Sequence, residues 1–304
     1  MNNIWKYLNP TCIKNWVAYK QYQLHKLNHG RDISALGKQE IDYSLIYADV
    51  HRKYAPLLSL IKYELNNKIK PTRIIWWCWL QGEDSAPSIC KACLQSLRQH
   101  LPNYEIKVVT EQNMFEYIHP PKHIVEKYNK GIISRTHFSD ILRTLLLIEH
   151  GGVWIDSTVF CTGYNIPIFD NPLFVYQNWK FNIQQTIVAS SWMISATKQH
   201  PILCATRDLL YAYWEDNDKL VNYYLFHFFF QMAAEHYPSL WDSVPRFSNI
   251  PPHVLQFEMF EPFNQERFDQ IKHMSDFHKL TWKHNVDNMD ISGTYFQHIE
   301  QSCK

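Results

Sequence analysis

Short apolar runs alternate along the chain with segments of helical periodicity, and this alternation predicts an α/β fold. Residues 73–79 form a β-branched and aromatic run, which predicts a buried first strand. Residues 87–99 carry apolar side chains at helical spacing, and residues 104–110 form a second β-prone run. A succession of strand, helix and strand predicts a parallel sheet with a right-handed crossover.

The middle of the chain predicts another helix and strand, joined by Gly151 and Gly152. Apolar residues before the glycines give the helix a stripe to bury, and glycine suits a left-handed helix end. The β-prone run Val153-Trp154-Ile155 follows and places Asp156 at the carboxyl end of a strand. Residues 173–176 predict a further short strand, and from about residue 200 the pattern is helical and aromatic.

The first 70 residues differ in character from the rest and predict a separate helical extension. They carry eleven Lys or Arg against five Asp or Glu, whereas residues 71–304 carry nineteen against twenty-four. Lysines alternate with Trp, Tyr and Leu along residues 1–30, as in helices that lie on a membrane interface. A helical brace packed on the main domain is the equally weighted alternative. The remaining residues, 71–304, are predicted to form the main domain.

Composition excludes some classes of protein and favours a cytoplasmic one. No run approaches the roughly 18 apolar residues that cross a bilayer, and the first residues lack the hydrophobic core of an export signal. Seven cysteines without a disulfide-like spacing fit a reducing compartment. The net charge of +1 gives no reason to expect a nucleic-acid partner. Aromatic residues reach 15% and offer stacking faces for sugar rings and bases.

Three charged residues in the central segment form the strongest candidate site. Asp140 and Arg143 are three apart and share a helix face, and Asp156 ends the following strand. Ligands of open α/β sheets bind at the carboxyl ends of strands. Taken singly, such an Asp–Arg pair is commonly a solvated surface pair, and an Asp after a strand often caps the next element. Their coincidence within residues 139–156 favours a binding site.

The pattern Ser-Asp-Ile-Leu-Arg, then Gly-Gly-Val-Trp-Ile-Asp, resembles the nucleotide-sugar glycosyltransferases with a GT-A fold. It is most similar to the bacterial capsular polysaccharide synthesis proteins, relatives of the family 32 glycosyltransferases and, more distantly, of the large clostridial glucosylating toxins. The resemblance begins near residue 71 and includes residues 74–82 and 278–281. It implies a Rossmann-like, mainly parallel sheet flanked by helices, with a donor half at 71–180 and an acceptor half at 181–304.

The resemblance also implies how the donor is held. Asp140 and Arg143 match a pair that hydrogen-bonds the donor sugar in the toxins. Trp79 matches a Trp that stacks on the nucleotide base, with a core aromatic as the alternative. Lys279 is similar in kind and position to a lysine that meets the diphosphate. In this reading Asp140, Arg143 and Asp156 form the catalytic set.

A divalent cation, Mn²⁺ or Mg²⁺, is implied by the family's Asp-x-Asp motif, which Asp156 would begin. Here the motif is Asp156-Ser157-Thr158, so the second carboxylate is missing. A hydroxyl lacks the charge that a carboxylate gives to a hard cation. The resemblance offers His278 as a further metal ligand, and a surface residue in a polar loop is the alternative.

These inferences predict a retaining, hexosyl-transferring glycosyltransferase that uses a nucleotide-sugar donor. The expected acceptor is a capsular or related surface glycan, lipid-linked, met in the cytoplasm or peripherally at the inner face of the cell membrane. Two alternatives stay open: a non-catalytic nucleotide-sugar or glycan-binding relative, and a peripheral membrane scaffold of polysaccharide synthesis. His227, inside an apolar run, is interpreted as a hydrogen-bonded core histidine, with acceptor binding as the alternative.

The basic, aromatic N-terminal segment yields a direct test of membrane binding. Deleting residues 1–30 should release the protein from anionic liposomes, because the lysines and interfacial aromatics would be lost together. Co-sedimentation with vesicles measures the bound fraction. Unchanged binding of the shortened chain would favour the brace.

Overall fold

The computed structural model describes residues 34–178, 187–283 and 290–302, with side chains described from residue 41 onward. The fold is α/β, as predicted. The described strands, in chain order, are β1 Ile74–Cys78, β2 Glu105–Val109, β3 Gly152–Ile155, β4 Val159–Cys161, β5 Leu173–Gln177, β6 Ala189–Ala196 and β7 Phe277–Lys279.

Helices surround the strands and include the predicted central helix, which is α5. The described α-helices are α1 Ser34–Leu58, α2 Ser88–His100, α3 Met114–Tyr117, α4 Lys122–Asn129, α5 Arg135–His150, α6 Pro201–Asp216, α7 Leu225–His236, α8 Pro238–Asp242, α9 Val254–Phe257, α10 Gln265–Met274 and α11 Tyr295–Ser302. Short 3₁₀ turns lie at Glu83–Ser85, Ile168–Asp170 and Pro251–His253.

The main sheet has five strands in the order β2-β1-β3-β6-β5 and is mostly parallel. Strand β1 pairs in parallel with both β2 and β3, which confirms the parallel pairing predicted from the succession of elements. Strand β6 lies antiparallel between β3 and β5. Sequence analysis did not predict β6, because its run Ala-Ser-Ser-Trp-Met-Ile-Ser-Ala mixes small polar and apolar residues without regular alternation.

Both faces of the sheet are buried, and successive side chains of each strand face opposite layers. Trp76 and Trp154 belong to the core shared with α1, α5, α6 and α7. Trp77 and Ile155 belong to the second core, beneath α2, α10 and α11. The near-continuous apolar character of the β1 and β3 sequences follows from this burial on both sides.

A two-stranded antiparallel ribbon, β4 with β7, lies beside the main sheet and brings the end of the chain back to its middle. Val159 pairs with Lys279 across this ribbon. Sequence analysis placed residues 278–279 in a helical or loop region, because a three-residue strand leaves almost no periodic signal. The ribbon fixes the direction in which each of the two side chains points.

The two glycines between α5 and β3 are required by the backbone, as predicted. Gly151 has φ +69° and Gly152 has φ +97°, both in the left-handed region that disfavours side chains. A Cβ built on Gly152 would lie 2.5 Å from the Ile74 carbonyl oxygen. The chain can therefore pass from helix to strand close against β1 only because both positions lack side chains.

Helix α1 behaves as a brace within the residues that the structure describes. Tyr47, Val50, Tyr54 and Leu58 recur at helical spacing and are buried in the core shared with α6 and α7. The Tyr47 hydroxyl donates to the Glu235 carboxylate at 2.7 Å. The predicted helical extension is thus seen over residues 34–58, and residues 59–70 are not helical. The predicted membrane-binding segment, residues 1–30, lies outside the described residues.

Within the described part of the chain, no helix combines the length and apolarity needed to cross a bilayer.

The close approach at Gly152 predicts a large loss of stability on substitution. Gly152→Ala should lower the free energy of unfolding by roughly 2–5 kcal/mol, because left-handed strain and overpacking against β1 act together. Gly131→Ala is the matched control, since Gly131 also has positive φ (+71°) but no atom within 4 Å of its Cβ position. Its cost should stay near the strain alone, about 1–2 kcal/mol. Equal losses in urea unfolding would contradict the packing explanation.

Candidate functional site

The structure brings four predicted residues together at the carboxyl ends of the parallel strands. Arg143 lies 3.3 Å from Asp140 and 3.9 Å from Asp156, in each case between guanidinium nitrogen and carboxylate oxygen. The Lys279 ammonium lies 3.5 Å from the other oxygen of Asp156. The exposed fractions of the side chains are 7% for Arg143, 13% for Asp140, 26% for Asp156 and 20% for Lys279. The cluster is a partly buried group of two acids and two bases.

Hydrogen bonds on three nitrogens hold the Arg143 guanidinium between helix α5 and strand β6. Nε donates to the Ser139 carbonyl at 3.1 Å and Nη2 to the Ser139 hydroxyl at 3.2 Å. Nη1 donates to the Ser191 carbonyl of β6 at 2.7 Å. The rings of Trp154 and Phe226 lie 5.0 Å and 5.9 Å from the guanidinium carbon. This charge is therefore held rigidly by main-chain oxygens and aromatic faces.

Asp156 is positioned by the sheet through both its backbone and its side chain. Its N–H donates to the Trp192 carbonyl at 2.8 Å, which continues the β3–β6 pairing one residue beyond the strand. The Trp154 indole N–H donates to Oδ1 at 2.9 Å. Oδ2 faces Lys279. The carboxylate therefore lies at the carboxyl end of β3, as the sequence predicted.

Lys279 reaches this carboxylate from the distant end of the chain through the β4–β7 ribbon. Its ammonium also donates to the Thr158 hydroxyl. The Asp156-Ser157-Thr158 segment therefore presents its acid and its threonine hydroxyl to one lysine. Thr158 stands where the second acid of an Asp-x-Asp motif would have added negative charge, and the Lys279 cation lies beside it.

His278 points away from this cluster, which corrects its predicted pairing with Asp156 as a metal ligand. Neighbouring residues of a strand face opposite sides, and Lys279 takes the side of Asp156. The His278 side chain is completely buried, and its Nε2 lies 3.0 Å from the Thr162 hydroxyl. Burial lowers its pKa from 6.5 to about 3. It is a neutral core residue, and the surface-loop alternative is wrong as well.

The residues around Asp156 do not fit a carboxylate-held Mn²⁺ or Mg²⁺ ion. Hard cations take several oxygen ligands, usually with more than one carboxylate. Here both oxygens of Asp156 face N–H groups, and the Thr158 hydroxyl is engaged by Lys279. Among the described residues, no group of three or more His, Cys, Asp or Glu side chains could hold a metal ion. The positive charge beside Asp156 comes from Lys279 and Arg143.

Trp79 follows β1, whose carboxyl end lies at the same sheet edge as that of β3. Its ring is partly buried and meets Trp282 edge-on, with centroids 5.6 Å apart and planes at 80°. The Trp79 indole N–H is shielded from solvent and has no hydrogen-bond partner among the described residues. The structure thus leaves a buried donor at the predicted base-stacking position.

Several residues at the site were missed by the sequence analysis. His137 lies 3.6 Å from Asp140, and one helical turn separates the two. Cys78 ends β1 beside the charges of Arg143 and Asp156, and burial raises the pKa of its thiol to about 12. His137 shares the Asp140 face of α5 and was findable by helical spacing. The Ser191 carbonyl was not, because its strand was unrecognised.

His227 also belongs to this neighbourhood, and its interpretation as a hydrogen-bonded core histidine is wrong. Its Nδ1 is shielded from solvent and has no hydrogen-bond partner in the described part of the chain. Asp140, Arg143 and Asp156 all act electrostatically on it, while burial, the largest influence, lowers its pKa to about 4.

The family model described as "Capsular polysaccharide synthesis protein" matches residues 20–299. Among solved structures, the chain is similar to one titled "PaToxG Glycosyltransferase", at 14% identity and a TM-score of 0.41, over 86% of this chain and 97% of that one. No curated protein sequence matches the chain significantly.

Burial of His278 predicts a specific loss of stability in acid. Below pH 6.5 the unfolded chain binds a proton on this residue and the folded chain does not until about pH 3. Stability therefore falls as pH decreases through this window, by roughly 2 kcal/mol at pH 5 from this residue. His278→Gln should remove that part of the fall between pH 7 and pH 5 in urea unfolding. His119→Gln is the control, since the His119 side chain is 79% exposed, and equal slopes in all three proteins would contradict the assignment.

Proposed function

We propose a glycosyltransferase function for this chain, which belongs to the capsular polysaccharide synthesis protein family. The proposed reaction moves a sugar from a nucleotide-sugar donor to a glycan acceptor. The observation that carries the proposal is the convergence of Arg143 and Lys279 on Asp156, with Asp140 beside them. Family membership alone leaves the reaction open, whereas this cluster has the charges that a nucleotide diphosphate and a sugar require.

The diphosphate leaving group determines what the site must supply. As the bond to the anomeric carbon breaks, negative charge grows on the phosphate oxygens and must be neutralised. Lys279 is partly exposed, donates to one hydroxyl, and can extend toward a phosphate at the site mouth. Prearranged charges of this kind contribute the largest share of catalysis in many enzymes. Lys279 is therefore proposed to pair with the diphosphate without a Mn²⁺ or Mg²⁺ ion.

Asp140 and Arg143 are proposed to orient the donor sugar. A carboxylate accepts hydrogen bonds from sugar hydroxyls, and a guanidinium donates hydrogen bonds to them. Both side chains are more buried than Asp156 and Lys279. On this order of depth, the sugar is proposed to lie deeper in the site than the diphosphate. Trp79, with its unpaired indole N–H, is proposed to contact the nucleotide base.

The finer features of the reaction rest on the motif's resemblance to the family 32 glycosyltransferases. We propose transfer of a hexose with retention of configuration. In a front-face reaction the acceptor oxygen bonds to the anomeric carbon on the face that the diphosphate leaves. The acceptor proton then passes to a departing phosphate oxygen, so a strong protein base is unnecessary. A lipid-linked acceptor at the inner membrane face accords with the basic N-terminal segment.

Asp156 and Lys279 give the sharpest test of the site. Asp156→Asn and Lys279→Met should each lower turnover roughly 100-fold, because each removes a charge that orients or stabilises the diphosphate. The measurement is nucleoside diphosphate release from a panel of UDP- and GDP-sugars, with and without a glycan acceptor. Asp242→Asn is the matched control, since this carboxylate at the end of α8 is 70% exposed and pairs with Arg246, four residues later.

Full activity of Asp156→Asn would remove the active site from this location. Donor binding by calorimetry without product in the wild type would identify the non-catalytic alternative. Parallel assays in Mn²⁺ and in EDTA address the cofactor, because a reaction that relies on Lys279 should survive EDTA. Complete loss of activity in EDTA would show that the reaction requires a metal ion.

A further inference from the structure

His227 carries a buried polar atom that has no role in the proposed reaction. It lies in the first turn of α7, a helix packed against the core face of the sheet. Its ring is partly buried, and Nδ1 has neither solvent nor a hydrogen-bond partner among the described residues. An unpaired buried nitrogen costs stability, on the order of 1–3 kcal/mol. A ligand that pairs with it would recover that cost.

Contacts around His227 connect it to the candidate site. Phe226, its neighbour, faces the Arg143 guanidinium at 5.9 Å. Tyr223, four residues before His227, meets His137 with ring centroids 5.7 Å apart, and His137 lies 3.6 Å from Asp140. Tyr223 and Phe226 therefore line the site on the side of α7, and the His227 ring lies 5.5 Å from the Phe226 ring.

Three histidines of the described residues have an unpaired, buried Nδ1, and their surroundings differ. His200 and His278 also have a buried Nδ1 without a partner, but burial is the influence that shifts them. His227 in addition lies within the electrostatic reach of Asp140, Arg143 and Asp156, with Asp140 acting most strongly. Of these three histidines, His227 is the one whose ring packs against Phe226, the residue that faces Arg143.

The chemistry of His227 indicates what it would bind. Burial holds its pKa near 4, so the imidazole is neutral at physiological pH. A neutral ring offers one N–H donor and one lone pair. A hydroxyl group both donates and accepts, and so pairs with either tautomer. A phosphate would gain no charge from a neutral ring, and Lys279 and Arg143 already provide that charge.

We propose that His227 Nδ1 hydrogen-bonds a hydroxyl of the transferred sugar, across the site from Asp140, and thereby selects the sugar. The inference rests on the proposed function, since it requires a nucleotide-sugar donor. Two polar groups on opposite walls recognise the direction of a ring hydroxyl. A site built to hydrogen-bond one hydroxyl discriminates strongly against a sugar that lacks it or inverts it.

Calorimetry with paired ligands isolates the sugar contact. The probes are UDP-glucose, UDP-galactose, UDP-N-acetylglucosamine and GDP-mannose, each compared with UDP or GDP alone. For the sugar that wild type binds best, His227→Leu should weaken binding about ten-fold while leaving the free nucleotide unchanged. Equal weakening of sugar-nucleotide and nucleotide, or no weakening of either, would overturn the proposal.

Amide variants test which ring nitrogen matters. Asparagine places a polar atom near the Nδ1 position and glutamine near the Nε2 position, so His227→Asn should retain more sugar discrimination than His227→Gln. This comparison also holds if the leucine variant does not fold. His236→Asn is the control on the same helix, where Nε2 lies 3.3 Å from the Ile61 carbonyl; it should change thermal stability and leave sugar discrimination intact. Better discrimination by the glutamine variant would contradict the Nδ1 assignment.

The outcomes separate this inference from the function beneath it. If wild type binds none of the nucleotide sugars, the proposed function fails and His227 loses its ligand. If wild type distinguishes sugar-nucleotide from nucleotide and His227→Leu does so equally well, only the His227 assignment falls.

Discussion

The buried guanidinium of Arg143 is the constraint on which the site depends. A charge this shielded from water is stable only when its donors are paired and its carbon faces polarisable rings. Ser139 and the Ser191 carbonyl pair the donors, while Trp154 and Phe226 cover the faces. Helix α5, strands β3 and β6, and helix α7 therefore all contact this one side chain, within the apolar core that they share. The positions of both site carboxylates follow from that arrangement.

The replacement of a second acid by Thr158 changes the electrostatic character of the strand edge. Two carboxylates would repel each other and a nucleotide diphosphate unless a cation lay between them. Here the carboxylates of Asp140 and Asp156 are balanced by the cations of Arg143 and Lys279, so the four charges of the cluster sum to zero. Under the proposed function, Lys279 can pair with a phosphate without a second acid at position 158 to repel it.

Sequence alone predicted the parts of the site that are local in the chain. Asp140 and Arg143 share a helix face, and Asp156 ends the next strand, so spacing was sufficient. It did not predict β6, whose mixed small and polar residues lack clear alternation, although β6 supplies the Ser191 carbonyl. The sequence analysis assigned Lys279 to the diphosphate but could not show that His278 points to the other side of the ribbon. That direction follows from pairing with residues about 120 positions earlier. For His227, periodicity showed burial but could not show that a nitrogen was left unpaired.

The β4–β7 ribbon also bears on how the protein is made. Strand β4 emerges from the ribosome long before β7, because Val159 pairs with Lys279. Contacts between such distant residues form late and slow the folding of a chain. A nascent polypeptide that ends before residue 277 carries Asp156 without the lysine that faces it. Synthesis of residues 277–279 therefore completes the Asp156–Lys279 pair, and translation arrested before them yields a product without the lysine.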